Sequence, residues 1–573
     1  MPHAPNRQQT LLRLALAGLA ILALVVLVGW AERDRVSSAL ASVTGEEDPW
    51  HQVRGTGAWL LQQFRRPPDT APMVPIAHTG LPPYGINTFL EQEVEEEKIE
   101  LSLQLISDAG FSWIRQQFPW EDIEIYDKGD FWDHQWDQSA WDKYDRLVDM
   151  AEAHGIEIIA RLDNPPAWSR EVGDAEGWSL GPPDDFEDYG DFVYAVVSRY
   201  RGRIRYYQIW NEPNIYPEWG DQPVDPEAYV EMLQIAYRRA KEADPDSVVL
   251  AAGLAQTIEE GPRNLNDLIY LERMYEAGAQ GHFDAMGAMV YGLWTGPLDR
   301  RLGAERTNFG RAQLLREIMV RHGDADKPIW ATEVGWNALP ADFGGTAYYG
   351  RVTPEQQARY AVQAYERAAR EWPWMGVMNY WFLRRPSDAE IGQAWYYFRM
   401  FEPDFEPLPV FDAMRHLTQQ PPTVHMGYHQ PDHWALQYRG DWLEIADDAA
   451  TLGSYRQGLP GAELTFQFVG TGLDLVVMDP TQADAIVVYL DGRPVRGLAH
   501  TVAPGNGAPA LRVARNLQDR PHEVHIFVVG GAFDLDGVVV WRQTRWALGV
   551  PLAMAGLVGV AVAVGLRLWG ARR

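Results

Sequence analysis

Residues 205–214 read RYYQIWNEPN, an apolar and aromatic run that stops at Asn211, Glu212 and Pro213. The run favours a buried β-strand, and the asparagine and proline that follow favour a turn. A glutamate at such a boundary is either an ordinary solvated side chain or a group held at the rim of a sheet for chemistry. The pattern of the surrounding segments decides between these two interpretations.

Strand-like and helix-like segments alternate from about residue 84 to residue 417, which predicts βα units and a parallel sheet. Eight such units are typical of a (β/α)8 barrel, the TIM-barrel fold. A doubly wound open sheet is the alternative, but it gives no reason for eight units, and no Gly-rich phosphate loop follows the first strand. The eight predicted strands cover residues 84–89, 111–118, 156–162, 205–210, 247–253, 283–292, 327–336 and 375–383.

The pattern changes to a period of two after residues 419–424. Apolar residues alternate at Leu464, Phe466 and Phe468, and Asp491-Gly492 is a strong hairpin-turn signal. Short strands without helices indicate a C-terminal β-sandwich, predicted over residues 423–542. It is either a sugar-binding module or a spacer that holds the barrel away from a membrane.

Two apolar stretches, Leu14–Trp30 and Trp546–Leu566, are each close to the roughly 20 residues that cross a bilayer as a helix. A cleaved signal peptide is the alternative for the first stretch, with Ala39-Leu40-Ala41 as a small-residue cleavage pattern. The basic C-terminal tail predicts that both termini are cytoplasmic and that the middle of the chain faces outside. The predicted order is an N-terminal transmembrane anchor (11–31), a linker (32–80), the barrel (81–420), the sandwich (423–542) and a C-terminal transmembrane helix (546–568).

The composition excludes several classes of function. The formal net charge of -29 argues against nucleic acid as a partner, because phosphates would be repelled. The absence of cysteine excludes disulfides, thiolate zinc sites and thiol catalysis. The 24 Trp and 25 Tyr residues suit sugar binding, since flat aromatic rings stack on the C–H faces of pyranoses.

A second glutamate ends another predicted strand. Residues 327–336 read KPIWATEVGW and place Glu333 at the end of the seventh strand, as Glu212 ends the fourth. Active sites of (β/α)8 barrels lie at the carboxyl ends of the strands, and strands four and seven lie across the mouth from each other. Two carboxylates that flank one bond are what glycoside hydrolysis requires.

The motifs IWNEPN and ATEVGW resemble those of the retaining glycoside hydrolases of clan A, most closely families 39 and 5, over residues 84–417. The resemblance implies a carbohydrate substrate, with Glu212 as acid/base and Glu333 as nucleophile. Retaining glycosidases need no cofactor or metal, and no group of residues has convincing metal-ligand spacing.

The resemblance also implies roles for five further residues. Arg115 would lie beside the nucleophile, where a fixed cation keeps a carboxylate ionised. Asn211 would bond the sugar 2-hydroxyl, and the Tyr291 hydroxyl would hold the nucleophile. Trp381 would form the floor of the subsite for the reacting sugar, and Trp168 would shape the pocket from the loop after strand three.

Some neighbouring residues are not assigned by the motifs. Family 39 and its relatives often have His-x-Tyr at strand six, where this chain has Met289-Val290-Tyr291. Asp163 and Glu218 lie near the same rim and are interpreted either as residues without a role in the site or as secondary ligands. Four tryptophans after strand two are either the core of their own loop or stacking platforms for sugar; they are Trp120, Trp132, Trp136 and Trp141.

The sequence therefore predicts a membrane-anchored retaining glycoside hydrolase that acts on an extracytoplasmic oligo- or polysaccharide. The alternative is a non-catalytic carbohydrate-binding or envelope-scaffold protein that retains the barrel. The sugar, the linkage and the oligomeric state are left open.

Overall fold

The computed structural model describes residues 33–178 and 180–543. Eight strands form the barrel: β1 Tyr84–Thr88, β2 Trp113–Pro119, β3 Glu157–Asp163, β4 Tyr206–Ile209, β5 Val248–Leu254, β6 Ala285–Met289, β7 Ile329–Val334 and β8 Met375–Tyr380. They close in the order β1-β8-β7-β6-β5-β4-β3-β2, and every neighbouring pair is parallel. The predicted (β/α)8 barrel is confirmed, and the open-sheet alternative is excluded.

Ten helices of ten or more residues accompany these strands within the described ranges. They are α1 Arg33–Thr44, α2 Pro49–Gln62, α3 Glu96–Asp108, α4 Asp142–Ala153, α5 Phe186–Arg199, α6 Pro226–Ala243, α7 Asp267–Glu276, α8 Ala312–Arg321, α9 Pro354–Glu371 and α10 Pro409–Thr418. Local sequence fixes where several begin. α9 starts with a reciprocal capping box between Thr353 and Gln356, and Pro354 occupies its first turn. Because these caps satisfy the free backbone N–H groups, the helix starts were readable from the sequence.

The inside of the barrel is layered along its axis. Rings of Trp113, Tyr206 and Trp330 pack against one another at its lower end, with centroids 5.0 to 5.6 Å apart. Side chains two residues further along a strand lie on the same face. Polar Arg115 and Gln208 therefore lie above this apolar floor, one layer closer to the mouth.

The C-terminal region contains thirteen strands in two sheets. They are β9 Thr423–Val424, β10 Gly427–His429, β11 Gln437–Arg439, β12 Trp442–Ala446, β13 Ser454–Gly458, β14 Glu463–Gly470, β15 Gly472–Val477, β16 Ile486–Leu490, β17 Arg493–Pro494, β18 Ala499–Val502, β19 Pro509–Ala514, β20 Arg520–Val528 and β21 Phe533–Trp541. One sheet has the order β9-β14-β20-β16-β17 and the other β12-β13-β21-β15-β19-β18. Leu464 and Phe466 from one sheet share an apolar core with Leu475 and Val538 from the other, which makes the region a sandwich.

Residues 32–80, which the sequence predicts to be a linker with a short amphipathic helix near residues 59–64, contain two helices. The first half of this segment forms α1 and α2, which pack on each other and on the loop that follows β6. Arg301 of that loop donates hydrogen bonds to the Thr44 carbonyl and to Glu46, both at 2.8 Å. This correction comes from contacts with residues more than 250 positions away, which local patterns do not reveal.

The two predicted transmembrane segments, 11–31 and 546–568, lie outside the described residues. Within residues 33–178 and 180–543, none of the helices has the length and apolar character needed to cross a bilayer.

Candidate active site

The backbone at the end of β4 turns sharply to present the NEP motif. Trp210 and Glu212 have φ of +70° and +37°, in the left-handed region that non-glycine residues rarely adopt. The Trp210 indole donates to the Glu218 carbonyl at 2.9 Å and packs edge-on against Trp219. These contacts hold a turn that brings Asn211 and Glu212 to the mouth of the barrel.

Arg115 is the hub of the site and is buried within β2, two residues after Trp113. Its guanidinium donates to Glu333 Oε1 at 3.0 Å and to Asn211 Oδ1 at 2.7 Å. It also donates to Asn87 and Gln208 at 2.7 Å each. One planar cation thus fixes residues from four other elements: β1, β4, β7 and the turn after β4.

Glu333 lies at the end of β7 and is 5% exposed. Its Oε1 accepts the hydrogen bond from Arg115, and its Oε2 accepts one from the Tyr291 hydroxyl. Both contacts are suited to a carboxylate with a fixed orientation. Burial, followed by the Glu333 charge, raises the pKa of Tyr291 well above its usual range, so the phenol stays a hydrogen-bond donor.

Close packing positions Tyr291. Gly292 follows it, and a Cβ on Gly292 would lie 1.9 Å from the Trp336 ring. Only glycine lets the indole pack this close to the backbone. The Trp336 Nε1 donates to the Thr295 carbonyl at 2.8 Å, which fixes the ring.

Glu212 is held in different surroundings. Burial raises its pKa well above its usual range, and the nearby charges of Glu333 and Glu218 raise it further. A protonated carboxyl beside a charged one is the division of roles that acid-assisted bond cleavage requires. The pair can therefore act as an acid and a nucleophile at one bond.

An ion pair from β3 lies near Glu212 and Glu333. Arg161 and Asp163 form an ion pair at 2.8 Å, and Gln117 donates to Asp163 at 2.7 Å. Burial raises the pKa of Glu218 to about 7, and Asn211 is its hydrogen-bond partner. Asp163 and Glu218, interpreted from the sequence either as residues without a role or as secondary ligands, belong to this polar layer.

The predicted sugar-binding tryptophans have different positions. Trp381 directly follows β8 and lines a small cavity together with Arg115, Arg161 and Asn87. Trp168 packs edge-on against Trp120, with centroids 5.5 Å apart, and donates to the Glu124 carbonyl at 2.9 Å. Trp381 is thus placed with the charged residues of the mouth, whereas Trp168, in the loop after β3, packs on the loop after β2.

The tryptophan cluster after β2 divides into two kinds. Trp120 and Trp141 are buried, whereas Trp132 and Trp136 are 42% and 69% exposed. The first two form the core of the loop, and the second two are free to contact a ligand. The loop-core interpretation therefore holds for Trp120 and Trp141, and sugar stacking by Trp132 and Trp136 stays a prediction.

The sequence did not single out several residues of this site. Asn87 and Gln208 bind Arg115, and Arg161 lies two residues before Asp163 on the inward face of β3. The two-residue spacing along each strand was the signal that could have found them. Tyr349, in a loop, had no such signal. It belongs to the site because the charges of Glu212 and Glu333 act on it, and together with burial they raise its pKa to about 12.

Comparisons with known proteins find xylanases, a xylosidase and other glycoside hydrolases among the similar chains. No family model matches the chain. Among curated proteins, endo-1,4-beta-xylanase C of Paenibacillus barcinonensis is 24% identical over 216 residues, which is 34% of this chain; the match spans only 19% of the xylanase. Similar solved structures include a family 39 glycoside hydrolase of Bacteroides cellulosilyticus WH2, with a TM-score of 0.45, 18% identity and coverage of 79% of this chain and 83% of that one.

Two further solved structures are similar at the same level. A monomeric beta-xylosidase of Caulobacter crescentus CB15 has a TM-score of 0.43 and 13% identity, and the match covers 80% of this chain and 98% of that one. Xylanase 10B of Thermotoga maritima has a TM-score of 0.40 and 16% identity, with coverage of 59% and 94%. The chain is similar to clan A glycoside hydrolases, as its strand-end motifs had indicated.

Proposed function

We propose that the chain is a membrane-anchored retaining glycoside hydrolase that cleaves O-glycosidic bonds of an extracytoplasmic oligo- or polysaccharide. One observation carries this proposal: Arg115 and Tyr291 hold both oxygens of Glu333, while Glu212 at the opposite strand end has a strongly raised pKa. Two carboxyls with these separate roles are needed for double displacement.

In the first step, Glu212 protonates the leaving oxygen while Glu333 attacks the anomeric carbon, which forms a glycosyl ester and releases the alcohol. Esterification removes the negative charge of Glu333. Since that charge is one cause of the raised pKa of Glu212, this pKa falls in the intermediate. Glu212 then takes a proton from water, which attacks the ester and frees Glu333.

The polar layer around the pair orients the sugar. Asn211 Oδ1 is occupied by Arg115, so its amide nitrogen is the part that contacts Glu218 or a sugar hydroxyl. Arg161 and Trp381 line the same cavity as Arg115. A ring stacked on Trp381 would present its hydroxyls to these donors.

The test is hydrolysis of a panel of 4-nitrophenyl glycosides, which includes the β-xyloside because the curated relative is a xylanase. Glu333→Gln should lower kcat/KM by at least roughly 10²–10⁴-fold, which is the factor that general acid–base catalysis alone contributes. Azide should restore activity to Glu333→Gly with an inverted anomeric product, and a 2-fluoro sugar should label Glu333 in the wild type. Labelling of Asp163 or Glu218 instead would overturn the assignment. Sugar binding without turnover in the wild type would favour the non-catalytic alternative.

Membrane anchoring is the second part of the proposal. It is supported by the apolar runs Leu14–Trp30 and Trp546–Leu566 and by Arg567, Arg572 and Arg573 after the second run. Because the chain has no cysteine, single cysteines can report its topology. A cysteine at Arg573 should react with an impermeant maleimide only after the cells are opened, and one at exposed Trp136 should react in intact cells. The reverse result would contradict this orientation.

A further inference from the structure

The surface of α2 carries an apolar face that no part of the described chain covers. At 3.6 residues per turn, Trp50, Val53 and Leu61 lie within an arc of about 80°. Their exposed fractions, with that of Phe64 just after the helix, are 77% for Trp50, 61% for Val53, 72% for Leu61 and 90% for Phe64. Such a row of large apolar side chains on one face marks an interaction surface.

The opposite face of α2 is the one that docks on the protein. Gln52 is buried and donates to the Ser37 and Glu46 carbonyls at 3.1 and 2.9 Å. Gly55 is also buried, and a Cβ there would lie 2.9 Å from Arg301 and from Thr44. These contacts fix the rotation of α2, so its apolar face points away from the barrel.

The charges around the apolar face are basic, although the whole chain is strongly acidic. Arg54 and Arg65 flank the face, and neither forms an ion pair with any of the described residues. The acidic residues before α2 are already engaged: Glu46 with Arg301, Glu47 with Arg359, and Asp48 as the cap of the helix. Unpaired arginines beside exposed tryptophan, leucine and phenylalanine are typical of helices that lie in a membrane interface.

The position of α2 in the chain identifies its partner. The apolar run Leu14–Trp30 ends three residues before α1, and α2 follows α1 after a short turn. A chain that leaves a bilayer at Trp30 would therefore have α2 within reach of the same surface. Anionic headgroups would complement Arg54, Arg65 and Arg66.

A second contact agrees with this placement. Glu47 is hydrogen-bonded to Gln356 and Tyr360 near the start of α9, at 2.9 and 2.8 Å. Arg542, just after the last strand of the sandwich, lies 3.4 Å from the Arg370 carbonyl near the end of α9. The start and the end of the folded part thus meet the same flank of the barrel.

We propose that α2 is a membrane-interface helix that inserts Trp50, Val53, Leu61 and Phe64 into the outer surface of a bilayer containing anionic lipid. Insertion would hold the α9 flank of the barrel towards the membrane. The barrel would then lie on its side, with its mouth open along the surface. This inference concerns orientation and does not depend on catalytic activity.

The experiment uses nitroxide labels on single cysteines in the full chain, reconstituted into vesicles of phosphatidylcholine and phosphatidylglycerol. Leu61→Cys and Val53→Cys are the reporters, and both replace exposed side chains. Val502→Cys, at a 63% exposed site in the sandwich, is the matched control. We expect the ratio of oxygen to nickel-complex collisions to be severalfold higher at the reporters than at Val502.

A paired substitution tests whether the apolar face causes the insertion. Adding Phe64→Glu and Trp50→Glu to the Val53→Cys chain should lower its collision ratio to the value at Val502. If the chain floats with the vesicles but the labels at positions 53 and 61 are as accessible to the nickel complex as the label at position 502, this inference is overturned and membrane anchoring is not. A chain that does not float with the vesicles would overturn membrane anchoring as well. Dipolar broadening between labels on different chains would show that a second copy covers the face, and would also overturn it.

Discussion

Glu212 and Glu333 carry the same carboxyl group in two different surroundings, which support the two proposed roles. Glu333 accepts hydrogen bonds from a guanidinium and a phenol. Glu212 lies among carboxylates, and burial with their charges raises its pKa. Arg115 donates directly to Glu333, whereas its charge opposes the raised pKa of Glu212 by less than burial and the two carboxylates raise it.

The role of Glu212 predicts a dependence on the leaving group. Glu212→Ala should lower kcat/KM by about 10²–10⁴-fold for alkyl glycosides, whose leaving oxygen needs a proton. The loss should be much smaller for 2,4-dinitrophenyl glycosides, which leave unassisted. The measurement is kcat/KM over a series of leaving groups, with Glu231→Ala on α6 as control. Equal losses across the series would mean that Glu212 only binds substrate.

Glu218 predicts a shift in the pH profile. Its pKa is about 7, so it becomes charged above neutral pH and then helps to keep Glu212 protonated. Activity requires protonated Glu212 and is lost as the pH rises through its raised pKa. Glu218→Gln removes the repelling charge, lowers the pKa of Glu212 and should move the descending limb of kcat/KM to lower pH. An unchanged limb, as expected for Glu231→Gln, would show that Glu218 does not act on Glu212.

At the scale of elements, the barrel was predictable because each strand and helix carries its own local signal. β5 and β6 are buried along their whole length and appear as continuous apolar runs. The strand-end residues Glu212, Glu333 and Tyr291 follow once the strands are placed, whereas Arg115 lies within β2 and not at its end as the sequence predicted. Their structure agrees with the geometry that the motifs imply, although their catalytic roles remain predictions.

The parts that the sequence did not reveal depend on distant contacts. α1 contains three serines and a threonine, and α2 contains two glycines, so their local helix signal is weak. They are stabilised by docking against the loop after β6. Tyr349 reaches the two glutamates from a loop with no periodic pattern, and only the folded chain places it there.

Arg301 provides a test of this docking. It is 6% exposed and pairs with the fully buried Asp299 and with Glu46, both at 2.8 Å. Breaking a buried pair by removing one partner costs about 3–5 kcal/mol. Arg301→Met should therefore release α1 and α2, seen as a large increase in hydrogen exchange of residues 33–62 with little change in the barrel strands.

The matched control for Arg301 is Arg415 on α10, which pairs with Asp412 at 2.8 Å on the exposed surface. Arg415→Met should cost less than about 1 kcal/mol and leave exchange in residues 33–62 unchanged. Similar behaviour of the two variants would mean that Arg301 does not hold the helix pair.

At the scale of the whole molecule, the barrel and the sandwich meet around a cavity of about 220 Å³. It lies at the lower end of the barrel, and three histidines at the start of the sandwich line it: His425, His429 and His433. The rings of His429 and His433 are 4.7 Å apart. Burial lowers the pKa of His425 and of His429 to about 4, and it lowers that of His433 well below its usual range.

These histidines predict loss of stability in acid. An unfolded chain binds protons at histidine below about pH 6.5, whereas the folded chain excludes them until about pH 4. Stability is therefore full above pH 6.5 and falls as the pH drops towards 4, by up to about 1.4 kcal/mol per pH unit for each histidine. Arg370 and Arg542 also oppose protonation of His425, while Asp519 favours it.

The decrease in Tm of the full chain in detergent between pH 7 and pH 4.5 should be smaller in His425→Gln than in the wild type. His51→Gln, at an exposed site on α2, should leave the decrease unchanged. An identical decrease in all three proteins would place the acid-sensitive step elsewhere than at the junction of barrel and sandwich.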